Sequence, residues 1–65
     1  MLREMDSRES DGISVTLSVD TDTMRPVISL DDVRTDLHAV FTVPADKALD
    51  AFHHPFTYAH SAKVA

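Results

Sequence analysis

The spacing of the apolar residues changes at Pro44, and this change limits the folds that are open to the chain. Between residues 13 and 43, apolar and polar residues alternate, which is the period of two expected of β-strands with one buried face. Beyond Pro44, apolar residues recur at the spacing of one helical face. They are Ala45, Ala48, Leu49 and Phe52. Pro55 then disfavours further helix, so the sequence predicts a small α+β domain whose helix packs on one face of a sheet.

Polar turns divide the alternating part into segments at residues 13–19, 24–30 and 37–43. Aspartate and threonine are frequent in the connections at 20–23 and 31–36, and their short side chains bond nearby backbone in turns. Because strands joined by short turns pair antiparallel, the predicted fold is a three-stranded antiparallel β-meander followed by one C-terminal α-helix. This β-β-β-α domain is expected to occupy residues 13–59.

Residues 1–12 are predicted to form a disordered N-terminal lead. They are rich in charged residues and serine and offer no apolar face for burial. Met5 is an alternative initiation site to Met1. At the other end, residues 60–65 are expected to be a frayed tail, as termini without packing usually are.

The small size of the chain favours association. A chain of 65 residues buries a small share of its surface, so its core is marginally stable. Small domains gain further stability from disulfides, metals or partner subunits, and the absence of cysteine removes disulfides and thiolate metal sites. The sequence therefore predicts a homodimer or a complex with a partner protein.

Charge and hydropathy argue against two classes of partner. The net charge is −5, and residues 12–44 hold five aspartates against two arginines, so the phosphate backbone of a nucleic acid should be repelled. No apolar run approaches the roughly 20 residues that span a bilayer, and the first residues do not resemble a signal peptide. We expect no nucleic-acid partner, no membrane partner and a cytoplasmic protein.

The histidines are the candidate metal ligands. His53, His54 and His60 lie close in sequence, but adjacent residues on a helix diverge by about 100°. The short spacing that zinc sites use is also absent. The sequence predicts no metal site and no cofactor, and these three histidines are the residues to examine first.

The sequence contains no recognisable catalytic motif. Its one glycine, Gly12, stands outside any glycine-rich phosphate loop, and there is no nucleophile elbow. A domain of this size also offers little room for a water-excluding cleft. We predict no catalytic residues and a protein that is not an enzyme.

Large apolar side chains suggest an interface. Phe52, Phe56 and Tyr58 concentrate aromatic surface at the end of the helix, and aromatic residues often anchor interfaces. Val27 and Val40 are expected on the sheet face that the helix leaves open, where neighbouring valines would form an apolar patch. The predicted function is a non-enzymatic protein–protein interaction module. The alternative is a metal- or pH-responsive small regulator centred on the histidines.

The C-terminal half of the chain also resembles a known group of proteins. The segment ALDAFHHPF at residues 48–56, preceded by DVRT at residues 32–35, is similar to one in small uncharacterised proteins of actinobacteria and their phages. The likeness extends over residues 25–59. It implies an accessory protein of a phage or prophage that binds a host factor, and it implies no ligand or catalytic residue.

Overall fold

A computed structural model describes residues 1–58 of the chain. Its elements are β1 (Leu2–Ser10), β2 (Ile13–Asp20), β3 (Arg25–Asp32), β4 (Leu37–Thr42), a 3-10 turn (Ala45–Lys47) and α1 (Ala48–His53). The strands form one antiparallel sheet in the order β1-β2-β3-β4, and residues 55–58 add a further helical turn. The α+β class is confirmed, but the predicted three-stranded meander is wrong because the sheet has four strands. Within residues 1–58, no helix is long and apolar enough to cross a membrane.

The predicted disordered lead is wrong, because residues 2–10 form β1 and pair antiparallel with β2. Asp11 and Gly12 connect the two strands with φ angles of 54° and 82°. Positive φ at both central residues is the geometry of a type I′ turn, which Asp-Gly adopts readily and whose twist matches that of a hairpin. The Asp-Gly turn therefore adds a strand, β1, before the first strand that hydrophobic alternation predicts.

Pairing and turn geometry, rather than burial, fix β1. Every residue of the strand is exposed. Its register against β2 shifts between Glu4 and Asp6, which marks a β-bulge at Met5. At the start of the strand, the backbone N–H and the hydroxyl of Thr21 donate to the Met1 carbonyl at 2.8 and 3.0 Å. β1 is thus anchored at both ends while contributing no side chain to the buried core.

The core lies between the sheet and α1, which covers β2 and β3. The buried cluster consists of Val15, Ile28, Leu30, Val43, Ala51 and Phe52. Directly opposed residues of an antiparallel pair share a face. The pairs Val15↔Leu30 and Leu17↔Ile28 therefore place these four apolar side chains on one face of the sheet, the face that α1 covers. Burying one such aliphatic side chain stabilises the fold by about 1.5–3 kcal/mol.

The helical segment begins with the 3-10 turn Ala45–Lys47 before α1 starts at Ala48. A 3-10 turn rotates each residue by about 120° rather than about 100°, so a stripe counted from its first residue loses phase. The predicted stripe is wrong at Ala45 and Leu49, which are exposed. The inward-facing stripe instead consists of Ala48, Ala51, Phe52 and Pro55. α1 ends at His53, before Pro55, as predicted, but residues 55–58 form a further helical turn that the sequence analysis did not predict.

The other two turns occupy residues 21–24 and 33–36, within the aspartate-rich segments that predict them. Met24 and Asp36 close these turns with positive φ angles of 59° and 57°. Each left-handed residue reverses the chain into the next strand, so β2, β3 and β4 form consecutive hairpins.

Asp32, the last residue of β3, brings a charge to the border of the core and is 2% exposed. Its carboxylate accepts hydrogen bonds from the backbone N–H, Nε and Nη2 of Arg34 at 3.0, 3.1 and 3.2 Å. The hydrogen bond from the Arg34 side chain is the main reason that the pKa of Asp32 lies below its usual value. The buried carboxylate is thereby paired and hydrogen-bonded, as a charge in that position requires.

Candidate functional site

β4 forms one edge of the described sheet: it pairs with β3 and has no second partner strand within residues 1–58. The Val43 N–H donates to the Pro26 carbonyl at 3.1 Å. Hydrogen-bonded and non-hydrogen-bonded pairs alternate along an antiparallel ladder, so the odd-numbered residues of β4 bond to β3. The N–H and C=O groups of His38, Val40 and Thr42 consequently point away from β3. We call this row of outward groups the β4 edge.

The side chains of β4 are also incompletely covered. Leu37, Ala39 and Phe41 lie on the inner face and are half-buried, because α1 covers β2 and β3. On the opposite face, which no helix of residues 1–58 covers, Val40 is 70% exposed. β4 therefore presents outward-facing backbone groups and apolar surface within the same short strand.

His38 is the titratable side chain of this strand. Its Nδ1 contacts an Asp31 carboxylate oxygen, and its Nε2 lies 3.5 Å from Oδ1 of Asp36. The hydrogen bond to Asp31, with the attraction between the charges, raises the pKa of His38 above its ordinary value of 6.5. β4 contains no Lys, Arg, Asp or Glu, so protonation of His38 is the event that changes its charge.

The opposite edge of the sheet, β1, has a different composition. Five of its nine residues are charged, namely Arg3, Glu4, Asp6, Arg8 and Glu9. The bulge at Met5 also interrupts the regular backbone geometry. Charged side chains and bulges protect edge strands from pairing with other chains. Of the two edges of the sheet in residues 1–58, β4 is the one that lacks these protective features.

A second candidate surface is a groove of about 330 Å³ between the β1–β2 turn and the end of α1. We call it the helix-end groove. Its lining includes Arg8 and Asp11 from the hairpin and His53, His54 and Phe56 from the helical segment. The volume and the mixture of apolar and polar groups fall within the range of small-ligand sites.

Arg8, which lines this groove, joins β1 to α1. Its Nη2 donates to the carbonyls of Phe52 and His53 at 2.8 and 3.2 Å, and its Nε donates to that of Phe52 at 3.3 Å. The last carbonyls of a helix lack helical partners and attract cations. The Arg8 guanidinium carbon also lies 5.4 Å from the Phe52 ring centroid, within range of a cation–π contact. Arg8 therefore serves as a cap for α1 rather than as a donor directed into the groove.

The predicted interface residues differ in exposure. Val40 is 70% exposed and Phe56 is 44% exposed, whereas Tyr58 is half-buried. Phe52 and Val27 are buried, at 4% and 5% exposure. Val27 lies on the open face, but it sits in a central strand with neighbours on both sides. A partner can therefore reach Val40 at the β4 edge and Phe56 at the helix-end groove without rearrangement.

Two of the three candidate metal ligands, His53 and His54, line the helix-end groove. The His53 ring packs edge-on against Phe52, with the ring centroids 5.7 Å apart and the planes inclined by 62°. Within residues 1–58, no three His, Cys, Asp or Glu side chains are arranged to hold a metal ion. His60 lies outside the described residues, so the complete histidine set stays a prediction.

The sequence patterns missed Arg8 and the β4 edge for different reasons. The signal for β1 is the Asp11-Gly12 pair. Once β1 is recognised, Arg8 falls opposite Val15 on the inner face, from where it reaches the helix. The edge position of β4 depends on the order of the strands, and its sequence signal is the absence of Lys, Arg, Asp and Glu between residues 37 and 43.

No protein-family model, curated protein or solved structure matches the chain. The functional inference therefore depends on the geometry of the β4 edge and of the helix-end groove.

Proposed function

We propose that the chain is a non-enzymatic protein–protein interaction module that docks a partner strand along the β4 edge. The supporting observation is that the backbone groups of His38, Val40 and Thr42 face outward on a strand without Lys, Arg, Asp or Glu. In strand addition, backbone hydrogen bonds supply affinity and alternate side chains supply specificity. The β4 edge presents the backbone groups, and Val40 presents an exposed apolar side chain beside them.

The helix-end groove supports the proposal less directly. The Nε and Nη2 groups of Arg8 already donate hydrogen bonds to the carbonyls of Phe52 and His53. These two groups therefore cannot also donate to a ligand in the groove. Phe56, which also lines the groove and is 44% exposed, offers an aromatic contact. We therefore assign the primary docking surface to the β4 edge and a secondary contact to Phe56.

Matched lysine substitutions test the docking edge. Val40 and Val33 have similar exposure, 70% and 75%, but Val33 lies in the turn after β3. We expect Val40→Lys to abolish stoichiometric capture of a partner from a lysate of the source organism, because lysine on an edge strand opposes pairing. Val33→Lys should retain the partner. Equal retention by both variants would exclude β4 as the docking edge.

A second candidate function is a pH-responsive regulator, and one observation favours it. His38 lies on β4 in contact with Asp31 and Asp36, so protonation alters the charge beside the β4 edge. In this candidate function, the side chain that responds to pH is His38 rather than the histidines that the sequence analysis named, His53, His54 and His60. Partner binding measured between about pH 6 and pH 8 should change for the wild-type chain and stay constant for His38→Gln. An identical pH dependence in both would remove this candidate.

The narrower description is a cytoplasmic accessory protein of a phage or prophage that binds a host factor. We include this description in the proposal because residues 25–59 resemble small proteins of actinobacteria and their phages. Identification of the captured partner by mass spectrometry tests it. A host protein as the partner would support the description, and capture of no host protein would count against it.

A further inference from the structure

We infer that the strand which pairs with β4 is the β4 of a second copy of the chain, related by a two-fold axis at Val40. This inference rests on the proposed function, because it requires β4 to be a docking edge. An axis perpendicular to the sheet keeps the two inner faces on the same side and makes one continuous antiparallel sheet. It brings the outward-facing residues of one copy against those of the other.

The register follows from the outward-facing residues themselves. Val40 is the middle one, between His38 and Thr42. With the axis at Val40, the two valines pair with each other and His38 pairs with the second copy's Thr42, so every outward N–H and C=O group of the strand gains a partner. An axis at Ala39 would set Thr42 against the second copy's Asp36. The φ of 57° at Asp36 is incompatible with a strand, so that register loses pairing.

On the inner face, the same register joins two incompletely covered apolar surfaces. Leu37, Ala39 and Phe41 are half-buried in a single copy. The axis at Val40 places Phe41 of one copy beside Ala39 of the other. A large side chain next to a small one allows two layers to interdigitate without a void. Self-pairing therefore covers apolar surface that α1 leaves exposed.

The charges of the chain permit β4 to meet its own copy. Like charges directly opposite each other destabilise a strand pair, and the register sets each His38 opposite a threonine rather than the other His38. β1 could not pair with itself as readily, because it carries five charged residues and a bulge. Each copy has a net charge of −5, so added salt should strengthen self-association, whereas it would weaken the binding of a basic partner.

Sedimentation equilibrium on the full chain measures this self-association. We expect a monomer–dimer equilibrium for the wild-type chain and for the control Val33→Lys. Val40→Lys sets two lysines directly opposite each other and should raise the dissociation constant by about tenfold or more. Val40→Pro should also prevent dimerisation while leaving the monomer folded, because the N–H that it removes faces outward. Amide NMR spectra verify that each variant is folded.

Single-cysteine variants test the register, because the chain contains no cysteine. The Cα atoms of a hydrogen-bonded antiparallel pair lie about 5.5 Å apart, which is within the range of a disulfide. Under mild oxidation, V40C should therefore form a disulfide-linked dimer in high yield. The controls H38C and V33C should remain largely reduced. Preferential cross-linking of H38C would contradict the axis at Val40.

The possible results separate the failure of self-pairing from the failure of the docking edge. A monomeric chain that still needs Val40 to capture another protein would overturn self-pairing and leave the docking edge in place. A monomer whose His38, Val40 and Thr42 amides are protected from exchange would show that the chain itself covers the edge, and would overturn both proposals. A dimer that Val40→Lys does not weaken would overturn self-pairing through β4, and the capture test with Val40→Lys would then decide the docking edge by itself.

Discussion

β1 and β4 occupy equivalent positions at the two edges of the sheet, yet different interactions hold them. β1 is exposed at every residue and depends on the Asp11-Gly12 turn and on the hydrogen bonds of Arg8. β4 has half-buried inner side chains and no Lys, Arg, Asp or Glu. The comparison shows that turn geometry and charge can secure an edge strand while closing it to other chains. β4 is held in the sheet by apolar burial instead, and this burial does not oppose pairing of its outer edge with another strand.

The substitution with the largest expected effect on stability, Phe52→Ala, tests whether the apolar core, rather than β1, holds the domain together. Phe52 is 4% exposed and lies in the core cluster. Phe52→Ala should lower the free energy of unfolding by about 3–5 kcal/mol, which is comparable to the whole stability expected of so small a domain. Phe56→Ala, at a residue with 44% exposure, is the matched control and should cost far less. Circular dichroism melting measures both, and a cooperative wild-type-like melt of Phe52→Ala would contradict the packing of α1.

A substitution with a smaller expected effect on stability, Gly12→Ala, tests whether the Asp11-Gly12 turn holds β1 in the sheet. Gly12 has a φ of 82°, and a Cβ there would lie 3.1 Å from Cγ2 of Val33. Gly12→Ala should therefore lower the free energy of unfolding by about 1–3 kcal/mol, since both the backbone and the neighbouring side chain are strained. Asp11→Asn is the control, because asparagine also accepts positive φ. Urea unfolding gives the free energies, and unchanged stability of Gly12→Ala would show that β1 does not depend on this turn.

The contact between β1 and α1 provides the next test. Arg8→Ala removes the hydrogen bonds to the Phe52 and His53 carbonyls and should lower the free energy of unfolding by about 1–2 kcal/mol. Arg8→Lys should recover part of the loss, because an ammonium keeps the charge but not the planar fork. Within residues 1–58, Arg3 on the same strand makes no such hydrogen bond to α1, so Arg3→Ala should change the free energy by less than about 0.5 kcal/mol. Equal effects at the two arginines in urea unfolding would refute the capping role of Arg8.

The smallest effect concerns the charge state of β4. The raised pKa of His38 means that its contribution to stability is fully present below the unfolded pKa, near 6.5, and is lost as the pH rises through the folded pKa. The effect on stability should be small because the side chain is 64% exposed. NMR titration of the His38 ring should give a midpoint above 6.5, and Asp31→Asn should lower it. A midpoint that Asp31→Asn leaves unchanged would show that this carboxylate does not cause the shift.

Hydrophobic alternation predicted β2, β3 and β4 because each of these strands turns apolar side chains to the core. It missed β1 because that strand buries none of its residues. The Asp11-Gly12 pair was the available signal, and it specifies a hairpin without reference to burial. The helix was predicted, and Ala48 and Phe52 of its predicted face do point inward. The face was wrong at Ala45 and Leu49, because Leu49 is more apolar than Ala51 and the initial 3-10 turn changes the phase.

The candidate site was predictable only in part. The position of Val40 on the open face follows from alternation, and the structure shows it exposed. Its position at an edge depends on the strand order, which alternation does not determine. The cap formed by Arg8 depends on β1 and therefore could not be inferred without that strand. The raised pKa of His38 depends on the register that brings Asp31 opposite it.

Amide hydrogen exchange at low and high chain concentration tests most directly whether β4 pairs with a second copy. The N–H groups of Val40 and Glu9 both face outward, one at each edge of the sheet. We predict that protection of the Val40 amide rises with concentration while the Glu9 amide exchanges rapidly throughout. Equally rapid exchange of both amides at every concentration would contradict the pairing of β4 with a second copy.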